Sequence, residues 1–289
     1  MDIVYINGLF TPLCNAQVSI QDRGFCYGDG LFETLRASKG KIFRLEHHID
    51  RLFRSLPQIF IDLPMTRFEL MSVIQDTLAR NSHKEAVIRL TVTRGETQSN
   101  IQIDTDIPPT LVVNIRAYTP LSKAAYKKGI KIMLFQERAS STNVLKRRLK
   151  SCNYLSNTLI KKLSNERGFM EGVVVDPDFG VTEGTTSNVF IVSQGVLKTP
   201  PLSPFVLDGI TREVVIEIAK EHKIPFLEAH ITLEELLKAD EVFITNTGIE
   251  IVPVTQIDTQ PIGNKKPGIL TEFFHDEFLK CVEAEKNTC

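Results

Sequence analysis

The sequence predicts a chain of the α+β / α/β class folded as two domains, and three observations carry that expectation. Short β-branched runs alternate with amphipathic segments from one end to the other. The 289 residues, 42% of them hydrophobic, hold enough apolar material for two modest cores. The stretch from Arg116 to Lys128 contains Pro120 and few long apolar runs, which suits a connection between domains. The expected division is a small N-terminal α/β domain over residues 1–118, a linker over 119–128 and a larger domain over 129–289.

Each element follows from local pattern. Ile3 to Ile6 reads as a strand that ends in an Asn7-Gly8 turn. Leu45, Ile49, Leu52 and Phe53 fall at helical spacing, as do Phe68, Leu70, Val73, Ile74 and Leu78. These two helices are expected to cover a sheet containing Ala86 to Val92 and Thr110 to Ile115. Further on, Ile130 to Phe135 reads as a strand, Asn153 to Leu163 as a helix, and Glu171 to Val175 as a strand ending in the Asp176-Pro177-Asp178 turn. Gly180 to Val192 suits a strand return, and Ile210, Val214, Val215 and Ile218 give Gly209 to Ala219 one apolar helix face. Helices near Leu233 to Lys238 and Ile269 to Val282 flank a strand at Glu241 to Thr245. The sequence has no internal repeat and no low-complexity tract.

A formal net charge of −1 argues against nucleic acid or an anionic membrane surface as the main partner. No run has the apolar length of a transmembrane helix, and Met1-Asp2-Ile3 opens a strand-like segment rather than a signal peptide. A cytoplasmic location is the expectation. Cys14, Cys26, Cys152, Cys281 and Cys289 are scattered without a CxxC, so they read as reduced thiols, and no metal site is expected.

Three places carry chemistry. Lys150 follows Lys146, Arg147 and Arg148, and neighbouring cations favour the neutral amine that a Schiff-base nucleophile needs over the charged ammonium. A solvated basic face is the commoner meaning of such a run. Gly209 opens a helix whose first amides and Thr211 hydroxyl could bind a phosphate, although a plain helix cap looks the same in sequence. Glu183, between Thr182 and Gly184, is either an exposed turn residue or the partner of a pyridine nitrogen. A nicotinamide fingerprint at Gly28-Asp29-Gly30 fails, because its third glycine position is Glu33 and no βαβ pattern surrounds it.

Taken together, Lys150-Ser151-Cys152-Asn153-Tyr154-Leu155, Glu183 to Asn188 with Phe190, Gly209 to Arg212, and Asp22-Arg23-Gly24-Phe25-Cys26-Tyr27-Gly28-Asp29-Gly30-Leu31-Phe32-Glu33-Thr34 resemble the class IV aminotransferase family. This is the fold-type IV group of pyridoxal phosphate enzymes, and the resemblance runs in collinear order from about Val4 to Val254. It implies a smaller N-terminal α/β sandwich, a larger C-terminal pseudo-barrel and pyridoxal 5′-phosphate as cofactor. It also implies a homodimer in which loops of the neighbouring small domain complete each pocket; Ile101 and Ile103 fit that role loosely.

The resemblance assigns roles residue by residue. Lys150 matches the lysine that holds the cofactor as a Schiff base and later carries the proton between substrate Cα and the cofactor's C4′. Glu183 matches the partner of the pyridine nitrogen and Tyr154 the donor to the phenolic oxygen. Leu207 matches the residue pressed on the ring face. Phosphate ligands would be Arg51, the helix start at Gly209 with the amides of Ile210 and Thr211, and Thr247. Tyr27, Phe32, Thr34, Arg36, Arg89, Gly248 and Ile249 match substrate-pocket positions. Cys152 and His48 are expected to be structural.

Substrate choice rests on pocket residues. The branched-chain type resembles this chain at Tyr27, Phe32, Glu33, Arg36 and Arg89, but usually has glycine where Thr34 stands. The D-amino-acid type has tyrosine at the position of Phe32 and an Arg-x-His carboxylate trap, whereas the loop after Gly95 reads Glu96-Thr97-Gln98-Ser99-Asn100. Aminodeoxychorismate lyases also resemble the chain at Phe32-Glu33-Thr34, Leu207-Asp208-Gly209 and Lys150-Ser151. The favoured expectation is an aminotransferase acting on small amino and 2-oxo acids with a branched-chain-like pocket, followed by the lyase and then the D-specific enzyme.

Overall fold

Strands β1 (Ile3–Ile6) and β2 (Leu9–Pro12) pair through a tight turn in which Asn7 and Gly8 both have positive φ, 45° and 96°. Asparagine and glycine are the residues that tolerate that turn. Helix α1 (Arg23–Tyr27), β3 (Gly30–Ser38), β4 (Lys41–Ile42), α2 (Leu45–Ser55), α3 (Arg67–Ala79), β5 (Glu85–Thr93) and β6 (Thr110–Ala117) follow. The six strands form an antiparallel sheet in the order β2-β1-β6-β5-β3-β4. The computed structural model describes residues 2–97, 101–104, 106–137 and 148–287, with side chains as far as 285. Lys146, Arg147, Gln98, Ser99, Asn100 and Cys289 lie outside the described residues.

Side-chain alternation decides which face of this sheet is covered. Leu31, Leu35, Ile88, Leu90, Val92, Val113 and Ile115 are buried together with Ile49 and Leu52 of α2 and Leu70 and Ile74 of α3. Phe68, expected on the buried face of α3, is 76% exposed. The helix starts at a Thr66 capping box, and Leu70, Ile74 and Leu78 set the inward face at intervals of four. Phe68 stands two residues from Leu70, about 200° round the helix from it.

The second set of elements runs α4 (Lys123–Lys128), β7 (Ile130–Gln136), α5 (Leu155–Glu166), β8 (Glu171–Asp176), β9 (Gly180–Gly184), β10 (Asn188–Ser193) and β11 (Val196–Thr199). It continues with α6 (Ile210–Glu221), β12 (Phe226–Glu228), α7 (Leu233–Leu237), β13 (Glu241–Asn246), β14 (Glu250–Ile257), β15 (Gln260–Pro261) and α8 (Ile269–Asn287). Nine strands form a mixed sheet, β12-β11-β10-β13-β14-β7-β8-β9 with β15 on β14, curled into a half-barrel. The strands at its centre read as unbroken apolar runs because both faces are covered. Val189, Ile191, Val242 and Ile244 enter one core cluster, while the cross-strand pair Phe190 and Phe243 stacks at 4.9 Å, with Phe274 of α8 5.9 Å from Phe243.

The chain divides into two compact units: Met1–Thr119 with Leu149–Tyr154 and Glu285–Cys289, and Pro120–Arg148 with Leu155–Ala284. The stretch 119–128 includes the short helix α4, which packs on β14. The strand return expected over Gly180 to Val192 is two strands, β9 and β10. They are separated by a turn in which the Gly184 N–H donates to the Ser187 carbonyl at 2.7 Å.

Candidate active site

In the first unit, the segment carrying Lys150 is held to the start of β3. The Phe32 N–H donates to the Lys150 carbonyl and the Cys152 N–H to the Gly30 carbonyl, both at 2.9 Å. Leu31 and Ser151 form the antiparallel bridge between them. The Lys150 ammonium thereby comes to 4.7 Å from the centroid of the Phe32 ring. Tyr154 meets the same ring edge to face at 5.1 Å, and the Arg89 guanidinium lies 3.3 Å from its centroid. Phe32 is only 4% exposed, so an aromatic plate backs both cations and screens them from water on one side.

Alternation on β3 places Phe32, Thr34 and Arg36 on one face of the sheet, with Arg89 opposite Thr34 on β5. Arg36 lies 4.1 Å from the ring centroid of Tyr118 and forms a loose ion pair with Glu85 at 3.7 Å. Tyr27, the last residue of α1, is exposed, with the Arg23 guanidinium 5.0 Å from its ring centroid. Arg23 and Arg94 both bind Asp29 at 2.8 Å, and Arg94 also donates to the carbonyls of Ile59 and Phe60, which fixes the turn between α1 and β3.

Glu33 points to the other face, under α2, and is 1% exposed. Arg51 grips it with a fork, Nε to Oε1 at 2.7 Å and Nη2 to Oε2 at 2.6 Å, and His48 Nδ1 lies 2.8 Å from Oε2. Burial by itself would raise the pKa of this carboxyl; the Arg51 charge and the bonds from His48 and Arg51 outweigh it and hold Glu33 far below the usual carboxylate range. Burial lowers His48 below its usual value against the pull of Glu33, so its part is a fixed hydrogen bond. Glu33 thus sets the direction of the Arg51 guanidinium. Burial pushes the Cys152 thiol up, which leaves it protonated and a poor nucleophile.

In the second unit, Glu183 lies near the end of β9 with its side chain 13% exposed. Its Oε2 accepts the Leu207 N–H at 2.7 Å and its Oε1 pairs with Arg148 Nε at 3.1 Å. Asn188 fixes the next step of the chain by donating to the Leu207 carbonyl at 2.9 Å. Gly209 then opens α6, a helix of 12 residues with no side-chain cap, followed by the buried Ile210 and Thr211. A Cβ at Gly209 would fall 2.0 Å from Asn188 Oδ1, so any larger residue would have to displace the Asn188 amide that holds the Leu207 carbonyl. Thr247, Gly248 and Ile249 form the turn between β13 and β14. Asn246 Oδ1 accepts the N–H groups of Gly248 and Ile249 at 2.7 and 2.8 Å, and Asn246 Nδ2 reaches Thr186 Oγ1 at 3.4 Å.

The structure thus groups Lys150, Phe32, Arg89 and Tyr154 in one unit, and joins Glu183 directly to Leu207 in the other. Arg148 and Asn188 are positioning groups that sequence reasoning did not single out. Arg148 stood out only as one cation of a run, and its partner is 35 residues away in sequence, beyond the reach of any local pattern. No cluster of His, Cys, Asp and Glu among the described residues could hold a metal ion.

A family match puts a class to this arrangement. Residues 30–257 match the family described as Amino-transferase class IV, and the chain belongs to that pyridoxal phosphate-dependent family. It is 41% identical over 275 residues to a Methanocaldococcus jannaschii protein provisionally named a branched-chain-amino-acid aminotransferase, covering 95% of this chain and 94% of that one. It is 36% identical over 270 residues to a D-alanine aminotransferase of Bacillus licheniformis, covering 93% of each.

Among solved structures, a T.th. branched-chain amino acid aminotransferase with pyridoxamine 5′-phosphate superposes with a TM-score of 0.92 at 29% identity, covering 98% of this chain and 95% of that one. The 4-amino-4-deoxychorismate lyase of Pseudomonas aeruginosa superposes at 0.83 with 27% identity, covering 96% and 98%. The expected fold class is therefore the observed one.

Proposed function

We propose that the chain is a pyridoxal phosphate-dependent aminotransferase that moves an amino group between an amino acid with a branched-chain-like side chain and a 2-oxo acid such as 2-oxoglutarate. The observation that carries the reading is the Phe32 plate, with Lys150 and Arg89 against one ring and Tyr154 at its edge. It offers an amine, a cation for a carboxylate and an apolar surface for a side chain.

The residues present fit the cofactor. Gly209 and the uncapped start of α6 suit a phosphate, and the Glu183 carboxylate is an acceptor-only group fixed by Leu207 and Arg148. When bound, pyridoxal phosphate supplies an electron sink that stabilises negative charge at the substrate Cα. Lys150 would attach the cofactor through its amine and, once displaced, move the proton at Cα. Glu183 would accept the ring N–H and Tyr154 would donate to the phenolic oxygen. Leu207 would press on the ring face. Arg51, the amides of Ile210 and Thr211, and the Thr247 hydroxyl would hold the phosphate. Arg89, Arg36, Thr34, Tyr27, Gly248 and Ile249 would orient the substrate.

The lyase is the second reading, favoured by the structural likeness to an aminodeoxychorismate lyase, and a D-amino-acid aminotransferase the third, favoured by the D-alanine relatives. One set of assays separates them: amino transfer from L-leucine and from D-alanine to 2-oxoglutarate, beside 4-aminobenzoate formation from aminodeoxychorismate. Leucine turnover without aminobenzoate supports the first reading. Faster turnover of D-alanine, or aminobenzoate as the main product, would replace it.

We also propose a cytoplasmic location and a homodimer. No helix among the described residues is long and apolar enough to cross a membrane. Leu155, Leu159 and Leu163 make an exposed stripe along α5, at 73%, 54% and 42% exposure, of the kind a partner subunit would cover. Sedimentation of the purified chain as a monomer at micromolar concentration would remove the dimer.

A further inference from the structure

The turn between β13 and β14 is held from behind by side chains that belong to neither strand. Glu250, which closes the turn, is 7% exposed and has φ of +61°, a left-handed conformation that a glutamate adopts only against a steric cost. Its Oε2 lies 3.0 Å from His275 Nε2 on α8. The His275 ring stacks on Tyr126 of α4, with centroids 4.6 Å apart and planes within 10°. The Tyr126 hydroxyl then donates to the Ile249 carbonyl at 3.1 Å. Three links, Glu250 to His275 to Tyr126 to Ile249, close a ring behind the turn from two separate helices. The strained residue is the point at which the ring is tied.

We propose that Tyr126 and His275 are positioning residues for the Thr247-Gly248-Ile249 turn, and that they fix it in the form that grips the cofactor's phosphate. The proposal rests on the reading of Thr247 as a phosphate ligand. A strained backbone persists only where its surroundings over-determine it, and here the Glu250 carboxylate and the Ile249 carbonyl are two handles beyond the Asn246 Oδ1 bonds to the Gly248 and Ile249 N–H groups. Released from them, the turn relaxes and the Thr247 hydroxyl moves away from the phosphate. The remaining contacts to the ring are unaffected, so the effect is confined to the phosphate end.

That confinement gives the test. The purified chain, freed of cofactor, is titrated with pyridoxal 5′-phosphate and separately with pyridoxal, which lacks the phosphate, following the absorption of the bound chromophore. In His275→Ala, pyridoxal phosphate affinity is expected to fall about tenfold while pyridoxal affinity stays at the wild-type value. His275→Gln keeps a donor toward Glu250 and restores most of the loss. Tyr126→Phe, which retains the stacked ring and loses only the hydroxyl, gives a smaller loss of the same kind. Glu250→Gly relieves the positive φ yet removes the carboxylate, and is expected to resemble His275→Ala.

Equal loss of both ligands in His275→Ala would mean a general structural role, and unchanged affinity for both would mean none; either overturns the proposal. Thr247→Val tests the underlying reading. Wild-type affinity for pyridoxal phosphate in Thr247→Val removes Thr247 as a phosphate ligand and the proposal with it. A selective loss in Thr247→Val alone leaves the reading standing and removes only Tyr126 and His275.

Discussion

Phe32 and Lys150 are joined twice: the Phe32 N–H donates to the Lys150 carbonyl at 2.9 Å, and the Lys150 ammonium lies 4.7 Å from the Phe32 ring centroid. The first link uses main-chain atoms only, so it survives any side-chain substitution at residue 150. Lys150→Ala should therefore fold with wild-type stability and lose its chemistry. Proton transfer by a positioned group is worth about 10²–10⁴-fold, and the covalent role is lost as well, so turnover should fall by at least about 10³-fold. The checks are a steady-state assay and the loss of the borohydride-reducible absorption band. Retained turnover would sink the assignment.

The fork between Arg51 and Glu33 is a buried ion pair, and such pairs are costly to break from one side only. Glu33→Leu would leave the Arg51 cation buried without its partner, at a cost of about 3–5 kcal/mol. Glu33→Leu with Arg51→Met removes both charges and should recover much of that loss in urea unfolding. It should not recover cofactor affinity if Arg51 holds the phosphate. A double variant as unstable as Glu33→Leu alone would show that the two side chains are not coupled.

Much of this was legible in sequence where the signal is local. The apolar face of α2, the turn at Asn7-Gly8, and strands β5 and β6 follow from periodicity and turn chemistry. Phe68 departs from its expected burial because, although it sits beside an apolar series, the capping box at Thr66 and the phase of Leu70, Ile74 and Leu78 put it on the outer face. Glu33 is the reverse case: it sits in the inward series of β3 between Leu31 and Leu35, and its partners Arg51 and His48 lie on another element. The same holds for Arg148 with Glu183 and for Tyr126 with His275. A pairing between distant elements leaves no trace in local pattern, and motif resemblance covers only the residues that the family shares.

Acid should destabilise this fold in two stages. His48 is held below its usual 6.5 by burial, so the folded chain refuses a proton that the unfolded chain accepts. Its contribution is full above pH 6.5 and is lost as pH falls toward the folded value. Glu33, held well below 4.5, contributes above that pH and loses its contribution as pH falls further. Each group adds a slope of at most about 1.4 kcal/mol per pH unit within its window. Melting temperature measured from about pH 8 to 4 should fall below about pH 6.5 in the wild type. His48→Gln should flatten the upper part of that fall, and an unchanged profile would remove His48 as its source.

Cys152 stands two residues from Lys150, and a thiol there invites a covalent role. Its environment opposes one: burial raises the thiol pKa, and Asp22 and Asp29 add to that shift while Arg89 partly offsets it. A thiol reacts through its thiolate, so a raised pKa and restricted access both slow alkylation. Cys14 and Cys26 are exposed and provide the internal reference. With iodoacetamide at about pH 7.5, mass spectrometry should find Cys14 and Cys26 modified at least about tenfold faster than Cys152. Cys152→Ser should keep the wild-type pH profile of turnover. Labelling of Cys152 as fast as Cys14, together with a shifted profile in Cys152→Ser, would bring the thiol into the chemistry; slow labelling with an unchanged profile leaves it as packing beside the lysine.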